Sequence, residues 1–208
     1  MRKKSCASSL GDVTTTPPSD GLQPRALRAL AHPVRIRLLS ELRSDGPATA
    51  SALAEVTGDA VSLISYHLRQ LSKHGFIEEA PELAKDARER WWRVREQMTS
   101  WSSANFLATE EGRAADTAVK QEILQLHHER LSGFLNQQQT WTDEWVDAAA
   151  TDDYMLNLDP AGLHQLHDEL ATVIRRFQER RPARPASSER VQVLLYAFPV
   201  TRRHDQQP

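Results

Sequence analysis

The stretch SLISYHLRQLSKHGFIE, residues 62–78, carries two periodicities in seventeen residues. Ala60, Ile64, Leu68 and Leu71 recur at helical spacing, so one face of a helix is apolar. His74-Gly75 is a helix stop, and Phe76-Ile77-Glu78-Glu79 then reads as a strand. The opposite helix face presents Val61, Ser62, Ser65, Tyr66, Arg69 and Lys73. That face either reads a partner or is simply hydrated, and its neighbours in sequence decide between the two.

Upstream, PRALRALAHPVRIRLLSELRSDG places Leu27, Leu30, Val34, Leu38 and Leu42 on one face, interrupted at His32-Pro33. The pattern predicts a helix from Pro24, a break, and a second helix over 33–43 that stops at Asp45-Gly46. Thr49 is a suitable N-cap for a short helix over 50–56 ending at Gly58, and Asp59 for the helix after it. Downstream, RERWWRVRE forms the second strand of a hairpin whose tip is the polar PELAKDA. A short helix, a glycine turn and a second helix make a helix-turn-helix, and the hairpin gives it a wing.

LAHPVRIRLLSEL, ALAEVTG, SLISYHLRQLSKHGFIE and RWWRV together resemble the ArsR-type winged-helix regulators over about residues 25–95. The resemblance implies a homodimeric repressor that binds double-stranded DNA and leaves it when an effector binds. It also places Val61, Ser62, Leu63, Ser65, Tyr66 and His67 where the family reads DNA. Val61 and Leu63 depart from the family, which more often has polar residues there. Arg69 and Lys73 extend the same surface, and Arg88 and Arg90 at the wing tip are candidates for phosphate or minor-groove contact. The alternative for the wing is an edge strand kept charged against aggregation. Many sensors of this family hold metal through cysteines near the short helix. Here that segment is TASALAEVTGD, without cysteine, so the thiolate site is absent.

The second half reads differently. Residues 110–138 predict a long helix with Val119, Ile123, Leu124, His127, Leu131, Phe134 and Leu135 in a broad stripe. TWTDEWVDAAA predicts a short helix, DYMLNLD a strand, AGLHQLHDELATVIRRFQER a helix, and RVQVLLYAFPV a second strand. A single β-α-β unit gives only a two-stranded sheet, which is marginal alone. Packing on the long helix, or completion by a second copy, would remedy that, and both favour a dimer built through this half. Trp101, Phe106, Phe134, Trp141, Trp145 and Tyr154 either wall a pocket for a small organic effector or fill core and interface. The pairs His127/His128 and His164/His167 are each half a metal site at most, and no metal or cofactor is expected.

Composition supports this division. The 208 residues include 39% hydrophobic and 26% charged residues, as a globular protein does. Residues 1–98 carry 15 Lys+Arg and 12 Asp+Glu, a net charge of +3, and residues 99–208 carry 11 and 16, a net of −5. The lone Cys6 excludes an internal disulfide. MRKKSCASSLGDVTTTPPSDG lacks the apolar run of a signal peptide, and nothing is long enough to span a bilayer, so a cytoplasmic protein without membrane association is expected. No phosphate loop, G-x-S-x-G or H-E-x-x-H motif appears, so no catalytic residue is assigned and no enzyme is expected.

The expected fold is mainly α with small β: a disordered arm over 1–22, a winged helix-turn-helix over 23–98, and a long helix plus a β-α-β dimerisation region over 99–208. The alternative function is a winged helix that binds protein without sequence-specific DNA recognition.

Overall fold

The computed structural model describes residues 22–86, 89–96, 101–179 and 188–201. The expected arm over 1–22 and the Arg88 site lie, the former almost entirely, outside the described residues. Two compact units divide at Asn136/Gln137.

The first unit begins with α1 (Pro24–Leu30), whose helix ends before the His32-Pro33 pair. Pro33 supplies a preset first helical φ for α2 (Pro33–Asp45). His32 caps that helix, its Nδ1 accepting from the Val34 amide at 3.2 Å. The chain then forms β1 (Ala48–Thr49), α3 (Ala50–Thr57) and α4 (Val61–Lys73). Thr49 Oγ1 accepts from the Ala52 amide at 3.2 Å, which satisfies one orphan donor of α3. Gly58 closes α3 in the left-handed region, φ 76°, where a side chain would be strained. The expected cap of α4 shifts by one residue: Ala60, not Asp59, occupies the N-cap, and no side chain caps this helix.

β2 (Ile77–Glu79) and β3 (Trp91–Val94) form the wing, with a 3-10 turn at Pro81–Leu83 between them. The sheet is antiparallel in the order β1-β3-β2. β1 is too short to show any periodicity in sequence; it exists because Ala48 and Thr49 meet Trp92 and Trp91. Trp92 is buried and β3 packs on α2, while β2 packs on α4.

α5 (Glu110–Asn136) completes this unit. Its first half packs on α1, with Ala115 and Val119 inside the shared core. Gly112 is required there, because a Cβ at that position would lie 2.3 Å from the Phe106 carbonyl oxygen. Arg130 donates to Ser40 Oγ and Glu41 Oε1, both at 2.8 Å, and so ties the second half to α2. α5 thus supplies core to the winged helix, and the first compact unit runs past the boundary expected near residue 98 to Asn136.

The second unit contains a 3-10 turn at Gln138–Thr140, α6 (Asp143–Ala148) and α7 (Pro160–Glu179). None of its described side chains is buried. The expected β-α-β arrangement is not formed: residues 151–159 and 188–201 are neither helix nor strand. No helix among the described residues is long and apolar enough to cross a membrane.

Candidate nucleic-acid interface

The side chains of α4 divide cleanly. Ile64, Leu68 and Leu71 are fully buried and hold the helix on the core. Ser62, Tyr66, Arg69 and Lys73 follow one another at spacings of four and three and are exposed, so they form one outward stripe. Ser65 is half-buried beside it. Val61, Leu63 and Tyr66 are 46%, 41% and 51% exposed. Large apolar groups left open at the start of a helix offer contact surface to thymine methyl groups or to protein equally well. The first-turn amides of α4 carry no side-chain cap and no acidic residue sits among them, so this end can donate to a phosphate.

His67 departs from its expected place on that surface. It is only 3% exposed. Its ring lies 4.4 Å from that of His32 and meets Tyr66 edge-on at 5.1 Å. It packs under Tyr66 and has almost no surface to offer a partner, unlike the exposed position expected for it. Burial lowers the pKa of His67, and the nearby His32 and Arg35 lower it further, against an opposing pull from Asp59. His32 is lowered for the same leading reason, burial, with Arg35 adding to it and Glu122 opposing.

Arg35 is a residue that spacing alone does not single out. It is half-buried, its Nε has no hydrogen-bond partner among the described residues, and burial lowers its pKa while Tyr66 opposes. It places a cation behind Tyr66. The signal in sequence is its position two residues after the His32-Pro33 break.

The wing is less cationic than its arginine count suggests. Arg90 lies 3.4 Å from Glu79. Arg93 donates to Glu78 at 2.8 Å and also engages Glu82, and Arg95 reaches Glu78 at 3.4 Å. The glutamates of FIEEAPEL thus neutralise the strand opposite. The cross-strand register makes these pairs, and alternation along one strand does not give it.

Of the six aromatic residues, Trp101, Phe106 and Phe134 belong to the first unit and Trp141, Trp145 and Tyr154 to the second. Phe106 is buried in the core of the first unit, with Trp101 packed against it. Trp141 and Trp145 meet edge-to-face at 6.4 Å in the second unit, where Tyr154 is exposed. Phe134 is half-buried on α5. A cleft in the first unit, between α2 and α5, is lined by Pro33, Val34, Arg37, Asp59, Glu122 and Leu126 among others, and includes none of the six. Among the described residues, no three His, Cys, Asp or Glu side chains are grouped to hold a metal. His164 Nδ1 lies 2.8 Å from the Pro160 carbonyl oxygen, and His167 lies 3.5 Å from Asp168.

Residues 30–80 match the family described as Helix-turn-helix domain, which spans α2 to β2. No curated protein matches the chain. Among solved structures, the chain is similar to the adhesin competence repressor AdcR of Streptococcus pyogenes, at 15% identity and a TM-score of 0.31, covering 70% of this chain and 81% of that one. It is also similar to the transcriptional regulator Tm0710 of Thermotoga maritima, at 14% identity and a TM-score of 0.29, covering 76% and 89%. ZitR of Lactococcus lactis, a mutant in apo form, gives 16% identity and 0.27 over 74% and 83%. At such TM-scores none of the three decides how this chain is arranged.

Proposed function

We propose that this chain is a sequence-specific DNA-binding transcriptional regulator of the ArsR type, acting as a homodimeric repressor on an inverted-repeat operator. The observation that carries the reading is the stripe Ser62, Tyr66, Arg69 and Lys73 on a helix held rigidly by Ile64, Leu68 and Leu71 after the Gly58 turn. In this arrangement α4 enters the major groove. Ser62, Ser65 and Tyr66 meet bases, with Val61 and Leu63 against thymine methyl groups. Arg69, Lys73 and the wing residues Arg88 and Arg90 grip phosphates. A two-fold dimer then reads half-sites about 10 bp apart or a multiple of that. A small organic effector releases the DNA.

A second reading has its own support. The open Val61 and Leu63 and the glutamate-paired wing also suit a module that binds protein. A gel-shift with DNA from upstream of the protein's own gene separates the two. One fragment preferred over random duplex at moderate salt supports the regulator. Equal, weak retention of every fragment overturns it.

A further inference from the structure

The cations of the first unit fall into two groups. Arg28 pairs with Glu111, Arg37 with Glu129, Arg130 with Glu41, and Arg90 and Arg93 with glutamates of the wing. Arg25, Arg35, Arg69 and Lys73 have no carboxylate partner among the described residues. These four are gathered rather than scattered. Arg69 and Lys73 lie on the outward stripe of α4, and α1 and α2, which carry Arg25 and Arg35, both pack on α4. His74, half-buried at the end of α4, feels three of them. Burial lowers its pKa, and Lys73, Arg35 and Arg25 lower it further with no carboxylate opposing.

Arg35 is the informative member. It is half-buried, and its Nε is sealed from solvent without a partner among the described residues. Its terminal amino groups make no bond among those residues either, and they stay open to solvent. Burial lowers its pKa, opposed only by Tyr66. Partly desolvating a guanidinium without an anion is unfavourable, and an anion from outside the chain removes that cost. The planar fork of Arg35 suits the paired oxygens of a phosphate.

We propose that Arg25 and Arg35 hold neighbouring phosphates of the DNA backbone beside the groove that α4 enters, so that α1 and α2 share the grip with α4. Continuity selects this ligand: the cations run on from Tyr66 and Lys73 without a break in sign, so a duplex lying on that stripe reaches them too. This assignment rests on the proposed reading of DNA and extends it to two residues outside the helix-turn-helix and the wing.

The test compares neighbours on one helix. Arg25→Gln and Arg28→Gln remove the same charge from α1, as Arg35→Gln and Arg37→Gln do from α2, but Arg28 and Arg37 are the paired members. The full chain is titrated with preferred and random duplex at several salt concentrations. Arg25→Gln and Arg35→Gln should each weaken both duplexes roughly 5- to 10-fold at about 0.1 M salt and lower the salt slope by about 1. Arg28→Gln and Arg37→Gln should do much less. Arg35→Lys, which keeps the charge and loses the fork, should recover the slope and only part of the affinity. Melts without DNA report folding. Arg25 is exposed, so if Arg35→Gln does not fold, Arg25→Gln against Arg28→Gln decides.

Equal losses from paired and unpaired arginines would assign the effect to net charge and overturn the inference. If Arg25→Gln and Arg35→Gln leave DNA binding unchanged but abolish stabilisation by inorganic phosphate at matched ionic strength, the patch holds a free anion, and the inference falls. One preferred fragment bound equally well by all four glutamine variants keeps the regulator reading and sinks this inference. Retention of every duplex alike, with slope lost only at Arg25 and Arg35, does the reverse. A chain that retains no duplex at moderate salt sinks both.

Discussion

His32 and His67 pack with ring centroids 4.4 Å apart and planes tilted by 45°, and so couple the break between α1 and α2 to the middle of α4. His32 uses its unprotonated Nδ1 to cap α2. His67 is buried, with Nδ1 unpartnered among the described residues. Both folded pKa values are lowered, so the unfolded chain binds protons more readily than the folded one. The stability this contributes is present above the unfolded histidine value of about 6.5 and is lost as pH falls through the lower folded values. Thermal melts between pH 7.5 and 5 should show that decline. His67→Phe should flatten it and, by removing a buried unpaired nitrogen, change stability at pH 7.5 by no more than about 1 kcal/mol. Operator affinity should survive this substitution, because His67 does not face outward; a tenfold loss would restore it to the contact surface.

The helix-turn-helix was legible because each of its elements announces itself locally. The helices at Pro24, Pro33, Ala50 and Val61 all begin at or within two residues of the position that proline, threonine or turn signals indicate. The burial of His67 was not legible, since helical spacing assigns an angle to a side chain but not a neighbour for it. Here the neighbour is His32, contributed by the kink between α1 and α2. The ion pairs of the wing were hidden for a related reason: they depend on the register Glu78↔Arg93 and Glu79↔Trp92, which alternation alone leaves open. In the second unit the β-type composition was read from sequence, yet residues 151–159 and 188–201 form no strand, because composition gives a propensity and not a register.

Asp116 is buried on α5 and accepts from the Trp101 indole at 2.6 Å, from Ser103 at 3.2 Å and from Lys120 at 2.8 Å. This cluster fastens the segment entering α5 to the helix itself. Asp116→Ala would strand three donors and should cost roughly 2–3 kcal/mol in denaturant unfolding. Asp116→Asn should cost less. Burial pushes the Asp116 pKa up, but Lys120, Trp101 and Ser103 outweigh it and hold the carboxyl below its ordinary range. Its contribution is therefore present above about pH 4 and is lost as pH falls through the folded value. That window lies below the histidine window, so the two declines should separate in a pH series.

Tyr66 and Arg69 should divide specificity from general affinity. On the proposed reading, Tyr66→Ala or Ser62→Ala removes a group that meets bases and should cost roughly 1–3 kcal/mol on the preferred operator, with little change on random duplex. Arg69→Ala should weaken both DNAs alike and lower the salt slope by about 1. Titrations of the two duplexes at several salt concentrations give both quantities. Equal losses on both DNAs for Tyr66→Ala would move that ring from base contact to backbone contact.

The wing offers the converse experiment, a gain. Arg90 is held at 3.4 Å by Glu79, and both side chains are exposed, so the pair contributes little to folding and is readily exchanged for another partner. Glu79→Gln releases Arg90 and removes a negative charge from the face that would approach the DNA backbone. Affinity for any duplex should rise a few-fold and the salt slope should steepen by up to about 1, as one more phosphate is neutralised. Stability should stay within roughly 0.5 kcal/mol of the unaltered chain. The double substitution Glu79→Gln with Arg90→Ala should cancel most of the gain, which assigns it to the released guanidinium rather than to net charge alone. A gain that persists in the double variant would place the wing's phosphate grip elsewhere on β3 or at its tip.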